Sequence, residues 1–402
     1  MKFFELFSEA PRHRVKIVIL ANLFYMTQLY LNWPFIHLAG FRGFSRYIDL
    51  NSILKSADCF QENKLGIYSD ISMSQCDGYM YGRELIFFIQ NLEITPAATS
   101  ILGTSLTLLV MVLVSWLVLI AKSSNWLATI VIFTPGLSLL LERGNFDVVV
   151  FILVTLAAIA LNNNLNILAY SLLVASALLK FYTLPLLFLA VVLMKMRNAF
   201  KYGLIVCSLF ISYDLFKQIG NLPKLPGTWF ISFGSGVFGE YINLILRLFD
   251  SDVVIRGIGI NIIGNFVVAG SFLFYAKKAS KLIKPLDGSI DQQDKNLSVI
   301  SLFSFIVFLS CYLTGISYDY RMIFYSISLL GFSQIWTISQ PKLKVMLILS
   351  LVCTIYFPPS LINLRVIFQV IGDVSMLIIV PVLTHYYFEF VRKNLGIGKR
   401  NG

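Results

Sequence analysis

Charge is scarce in this chain. Only 13% of its 402 residues are Asp, Glu, Lys or Arg, about half the share of a soluble domain. Histidine is scarcer still: His13, His37 and His385 are the whole complement, and none has a partner set for a metal. The glycine-rich signatures of nucleotide binding are missing, with no Walker loop and no dinucleotide fingerprint after a strand. These absences exclude a soluble nucleotide-dependent enzyme and a zinc enzyme. They leave a carboxylate as the natural choice for any catalytic base.

Apolar residues fill the space that charge leaves. The hydrophobic share is 57% and the mean hydropathy is +0.78, which specifies a helical protein of many membrane passes. Twelve apolar runs are visible, at 15–36, 97–121, 125–141, 147–161, 165–180, 183–196, 202–217, 255–276, 297–316, 321–338, 343–358 and 367–391. A full crossing takes roughly 20 residues, so the short runs 125–141 and 183–196 suit broken or re-entrant helices. The expected fold is an all-α polytopic bundle of about 12 transmembrane helices, one integral-membrane domain over 1–402. A large external loop, 36–95, carries interfacial helices, and 277–296 forms a flexible cytoplasmic loop.

Orientation follows from Lys and Arg. With the N-terminus inside and the runs alternating, the cytoplasmic segments hold 19 of the 32 basic residues and 6 of the 21 acids. The opposite side holds the remaining 13 bases and 15 acids. Both termini are therefore expected in the cytoplasm, and the formal charge of +11 belongs to that face; it gives no argument for nucleic acid. The first apolar run follows a basic stretch, lacks a small-residue cleavage pattern and reads as an anchor. Cys207, Cys311 and Cys353 lie within apolar runs and read as small apolar residues. Cys59 and Cys76 share the first external loop, and an oxidising compartment would join them in a disulfide; the alternative is two separate thiols.

Six polar islands interrupt the apolar runs, and this topology puts all six on one side. They are 36–95, 142–147, 180–182, 217–256, 317–321 and 358–365. Charge beside hydrocarbon is costly and calls for a reason. Asp49, on an amphipathic stretch just past the first run, is the leading candidate for a general base; paired with Arg46 or Lys55 it would be an ordinary solvated helix charge. Glu142, Arg143, Asn145 and Asp147 crowd a turn that Gly144-Asn145 could make alone. Arg143 could grip a phosphate with two parallel hydrogen bonds, or the turn could neutralise itself. Lys180 beside Tyr182 suits an anionic headgroup or a snorkelling anchor. In Tyr318, Asp319, Tyr320 and Arg321, the rings could stack on sugar faces while Asp319 binds hydroxyls and Arg321 a phosphate. The plainer alternative is an interfacial aromatic belt with one ion pair.

The order of these elements is an early external Asp in a Cys-containing loop, then Glu142-Arg143-Gly144-Asn145-Phe146-Asp147, then Leu179-Lys180-Phe181-Tyr182-Thr183-Leu184-Pro185, then Tyr318-Asp319-Tyr320-Arg321. Over roughly 40–330 it resembles the GT-C superfamily of integral-membrane glycosyltransferases, in particular the bacterial branch like polyprenol-phosphate-mannose-dependent mannosyltransferases. The resemblance implies an inverting hexosyltransferase of cell-envelope glycan biosynthesis in the bacterial inner (plasma) membrane. Its active site would be extracytoplasmic. Its donor would be a sugar on a polyprenyl phosphate, and its acceptor a glycan or glycolipid. Asp49 would be the base, and Arg143, Lys180 and Arg321 would hold the lipid phosphate. No cofactor and no metal are implied, because the first loop lacks adjacent paired acids. A second departure is the proline, displaced from Lys180 to position 185. Two other readings compete: an O-antigen-type polymerase or ligase, which usually has its large loop later in the chain, and a lipid or sugar transporter, which needs charge at mid-membrane and internal symmetry.

Overall fold

In a computed structural model of the chain, the structure describes residues 11–31, 47–63, 83–121, 129, 131–194, 197–219, 232–233, 237–238, 241, 243, 258–282, 292–313, 317–318, 321–330, 341–352 and 362–394. These are helical apart from turns and one two-residue ladder. The helices are α1 (Arg12–Leu31), α2 (Ile48–Asn63), α3 (Arg83–Asn91), α4 (Thr99–Ile120), α5 (Pro135–Arg143), α6 (Asp147–Asn162), α7 (Asn166–Leu179), α8 (Leu184–Leu193), α9 (Asn198–Ile219), α10 (Ile258–Leu282), α11 (Gln292–Leu313), α12 (Met322–Leu330), α13 (Pro341–Val352) and α14 (Ile362–Asn394). Strands β1 (Ser232–Phe233) and β2 (Ser317–Tyr318) pair antiparallel, Ser232 opposite Tyr318. The cytoplasmic loop expected at 277–296 is shorter among the described residues, since α10 continues to Leu282 and α11 begins at Gln292.

Two helices are long and apolar enough to cross a bilayer, Pro96–Ile120 and Val370–Val391. A third crossing exists if Gly136–Arg143 and Asp147–Asn162, which meet at 115°, count as one span. The count of twelve is thus realised only in part among the described residues. For α6 and α7 the reason is length. The 22 residues of α4 rise about 33 Å, enough for a hydrocarbon core of roughly 30 Å. The 16 of α6 and 14 of α7 rise only about 24 and 21 Å. A turn with Asn164 at φ 59 joins those two. Asn tolerates this left-handed conformation better than most residues.

Many large apolar side chains face outward, among them Ile101 and Leu109 on α4, Phe210 on α9, Phe266 and Leu273 on α10, and Phe388 on α14. Such surface is compatible with lipid contact and unusual in water.

The described residues fall into two compact units. The first lies within Met1–Ile36, Phe41–Ile120 and Leu137–Pro226; the second within His37–Gly40, Ala121–Gly136 and Gly227–Gly402. In the first unit α6 packs along α7, α7 against α8, α8 against α9, and α4 against both α1 and α6. Helix α2 buries Leu50, Ile53, Leu54 and Ala57, the i, i+3, i+4, i+7 stripe of an amphipathic helix, against Leu85, Ile86 and Ile89 of α3. Leu102, Phe146 and Leu179 close the same cluster. The amphipathic stretch that carries Asp49 is a helix over 48–63, and its apolar stripe packs on protein. The residues between α1 and Tyr47 lie outside the described residues.

The second unit is built on aromatic packing between α11, α12 and α14. Phe305 stacks on Tyr387 with ring centroids 4.8 Å apart, and Phe308 lies 4.8 Å from Tyr325. Buried hydroxyls find partners across helices. Tyr325 and Ser350 share a 2.6 Å hydrogen bond, and Tyr387 donates to the Ser328 carbonyl at 2.9 Å.

Candidate functional site

Six of the residues singled out from sequence converge at the corner between α5 and α6. The corner is made by Gly144, at φ +59, a left-handed conformation that glycine adopts at little cost at a helix C-terminus. Its N–H still closes the last turn of α5 on the Leu140 carbonyl at 3.1 Å. Asn145 then turns its side chain inward and accepts the Asp147 N–H on Oδ1 at 3.0 Å. That fills one of the donors left open at the start of α6. It also fixes which end of the carboxamide faces away.

Tyr47 locks the beginning of α2 onto this corner. Its N–H donates to the Glu142 carbonyl at 2.8 Å. Its φ of 57 is costly for a bulky residue, and its ring lies directly on Gly103 and Gly144. A Cβ at Gly144 would lie 2.9 Å from the ring, and one at Gly103 would overlap it. Glycine at both positions is a packing requirement. Asp49 follows two residues later, in the first turn of α2, where a carboxylate complements the helix dipole.

Asp49 is gripped by a fork. Arg143 Nε lies 3.0 Å from Oδ1 and 2.9 Å from Oδ2, and Nη2 lies 2.6 Å from Oδ1. Asn145 Nδ2 donates to Oδ2 at 2.7 Å. The partner is therefore Arg143, 94 positions away in sequence. Of the two neighbours that would make Asp49 an ordinary helix charge, Lys55 is exposed and Arg46 lies outside the described residues.

A second pair sits beneath. Asp147 is fully buried at the start of α6, accepts a hydrogen bond from the Tyr182 hydroxyl, and faces Lys180 Nζ at 3.9 Å. Lys180 caps α7 in extended conformation, φ −149 and ψ 111, followed by the single 3-10 turn Phe181–Thr183. Pro185 then falls in the first turn of α8, where a missing N–H costs nothing; the displaced proline has a structural place. Two charged members of the turn find partners outside it: Arg143 pairs with Asp49, and Asp147 with Lys180. Exposure separates the two pairs, with side chains 26% and 14% exposed for Arg143 and Asp49 against 8% and 0% for Lys180 and Asp147. The first pair is the more accessible to solvent.

Comparison with family models, with curated proteins and with solved structures gives no match. The chemistry must be read from the site itself.

Burying carboxylates and cations among apolar helices costs more solvation than pairing returns, unless geometry is good. Here residues from α2, the α5–α6 corner and the α7–α8 turn supply two pairs side by side. The cluster combines a carboxylate with solvent access, a guanidinium able to bind oxyanions, and a buried pair that sets its floor.

Of the remaining candidates, Glu142 contributes its backbone carbonyl to Tyr47. Tyr318 lies in β2 of the second unit, and Arg321, half-buried, at the threshold of α12. Asp319 and Tyr320 lie outside the described residues. Cys59, on α2, is disulfide-bonded, and Cys76 lies outside the described residues. The second unit has its own buried acid, Asp373, on the span Val370–Val391, which accepts a hydrogen bond from the Tyr241 hydroxyl. Sequence reasoning missed Tyr47 and Gly103; only the nearness of Tyr47 to Asp49 hinted at the first, and nothing hinted at the second.

Proposed function

We propose that the protein is an integral-membrane glycosyltransferase of GT-C type. It moves a hexose, mannose-like in class, from a polyprenyl-phosphate donor to a glycan or glycolipid acceptor with inversion. The observation that carries this reading is the Asp49–Arg143–Asn145 cluster: a solvent-reachable carboxylate bound to a guanidinium, assembled from segments distant in sequence at the ends of apolar helices.

In this scheme the acceptor hydroxyl gives its proton to Asp49 as its oxygen attacks the anomeric carbon. The bond from that carbon to the phosphate oxygen breaks on the opposite side. The phosphate takes the electron pair, and Arg143 offsets its developing charge. Direct displacement needs no second carboxylate nucleophile, as in inverting glycoside hydrolases by analogy. Lys180 and Tyr182, held by Asp147, form the floor of the site beneath the donor phosphate. The reading places the site on the extracytoplasmic face of a bacterial plasma membrane, with both termini inside.

The test is transfer by purified protein in nanodiscs, offered polyprenyl-phosphate hexoses and extracted lipid-linked acceptors, with the product anomer assigned by NMR. Transfer with inversion is expected. Retention would remove the single-displacement scheme, and no transfer from any polyprenyl-phosphate hexose by folded protein would remove the reading.

A further inference from the structure

The Asp49–Arg143 pair presents a conflict to any mechanism that uses Asp49 as a base. Arg143 contacts both oxygens of the carboxylate and comes closest to Oδ1, through Nη2 at 2.6 Å. Asn145 holds only Oδ2, at 2.7 Å. A guanidinium that grips a carboxylate as a fork offers the same fork to a phosphate.

We infer that the pair is a latch opened by a phosphate anion. The phosphate takes Arg143, and the departure of the guanidinium uncovers Asp49 Oδ1 while Asn145 keeps Oδ2 in place. This rests on the proposed transferase reading and adds to it an order of events: the donor's phosphate arms the base.

Three features make the exchange a side-chain event. The backbone carrying Asp49 is pinned by the Tyr47 N–H on the Glu142 carbonyl and by the buried stripe Leu50, Ile53, Leu54 and Ala57. Asn145 is itself pinned, because its Oδ1 accepts the Asp147 N–H at 3.0 Å. The Arg143 side chain is the most exposed member of the two pairs, at 26%, so it is the one with room to swing. Arg143 keeps an anionic partner throughout, and the freed carboxylate keeps the Asn145 hydrogen bond and its place in the first turn of α2, where the helix dipole favours a negative charge. Oδ1 is then open to the acceptor hydroxyl and takes its proton as the bond to the anomeric carbon forms. Asn145 is a positioning residue here, because it acts through Asp49.

The experiment measures binding of undecaprenyl phosphate, in nanodiscs, and of inorganic phosphate to wild type, Asp49→Asn and Arg143→Gln. Removing the competing carboxylate charge is expected to tighten phosphate binding by roughly tenfold, and Arg143→Gln to abolish it. Equal affinity of Asp49→Asn and wild type, or undiminished binding by Arg143→Gln, overturns the latch. Tight lipid phosphate with weak inorganic phosphate assigns the anion to a lipid; comparable affinities assign it to the free anion; the latch stands in both. Should Asp49→Asn not fold, wild type decides: the Arg143 Nε–H resonance must move when phosphate saturates, and an unmoved resonance overturns the exchange. Tightened binding without sugar transfer keeps the latch and removes the transferase. Transfer without tightened binding removes the latch alone.

Discussion

Replacing Lys180 with methionine tests the energetic logic of the site. The substitution keeps most of the side chain's volume and deletes its charge, leaving the Asp147 carboxylate fully buried with the Tyr182 hydroxyl but without its cation. Removing one member of a buried pair costs about 3–5 kcal/mol. The 3.9 Å separation and the Tyr182 hydrogen bond favour the lower end, about 3 kcal/mol. In a unit of this size 1 kcal/mol moves Tm by about 2–4 °C, so Lys180→Met should melt about 6–12 °C below wild type. The double variant Lys180→Met with Asp147→Asn removes both charges and keeps an acceptor for Tyr182. It should recover most of the loss, because no uncompensated charge remains. The assay is thermal unfolding in detergent for wild type, both single variants and the double. A single variant within about 2 °C of wild type, or a double variant worse than either single, would show that the pair is not the unit described here.

Other outcomes follow from the same geometry. Gly144→Ala puts a Cβ at φ +59 and 2.9 Å from the Tyr47 ring; a loss of about 1–3 kcal/mol should appear as a lower Tm. Its absence would show that Tyr47 moves aside. Tyr241→Phe removes the hydroxyl that bonds the buried Asp373 and should cost about 1–3 kcal/mol, measured in the same melts. Cys59→Ser removes a disulfide and should lower stability by about 2–4 kcal/mol without abolishing transfer; equal melting of wild type under oxidising and reducing conditions would contradict this.

The site residues were legible for a reason that chain geometry did not supply. Arg143, Asn145 and Asp147 stood out because a six-residue turn needs few polar side chains, and Lys180 because an apolar helix ends on it. The partners were not legible. Arg46 and Lys55 are the nearest bases to Asp49 along the chain, whereas its partner comes from the α5–α6 corner. Only tertiary packing makes that pairing, and no local period encodes it. The same holds for Tyr47: its left-handed backbone is imposed by the Glu142 carbonyl and the two glycines under its ring. Apolar content announced the helices correctly as a class. Hydropathy marked the break at 142–147 but not its angle: the helices on either side meet at 115°, and the chain turns there through Gly144 in the left-handed conformation.

The central claim is that Asp49 takes a proton in a sugar transfer. The most direct measurement is the transfer rate of Asp49→Asn beside wild type, at saturating polyprenyl-phosphate hexose and acceptor, with both proteins shown to be folded by their melts. Asparagine keeps the shape and still faces Arg143 and Asn145, yet cannot serve as the base. The account predicts a loss of about 10²–10⁴ in kcat. A variant retaining more than about a tenth of the wild-type rate would contradict it.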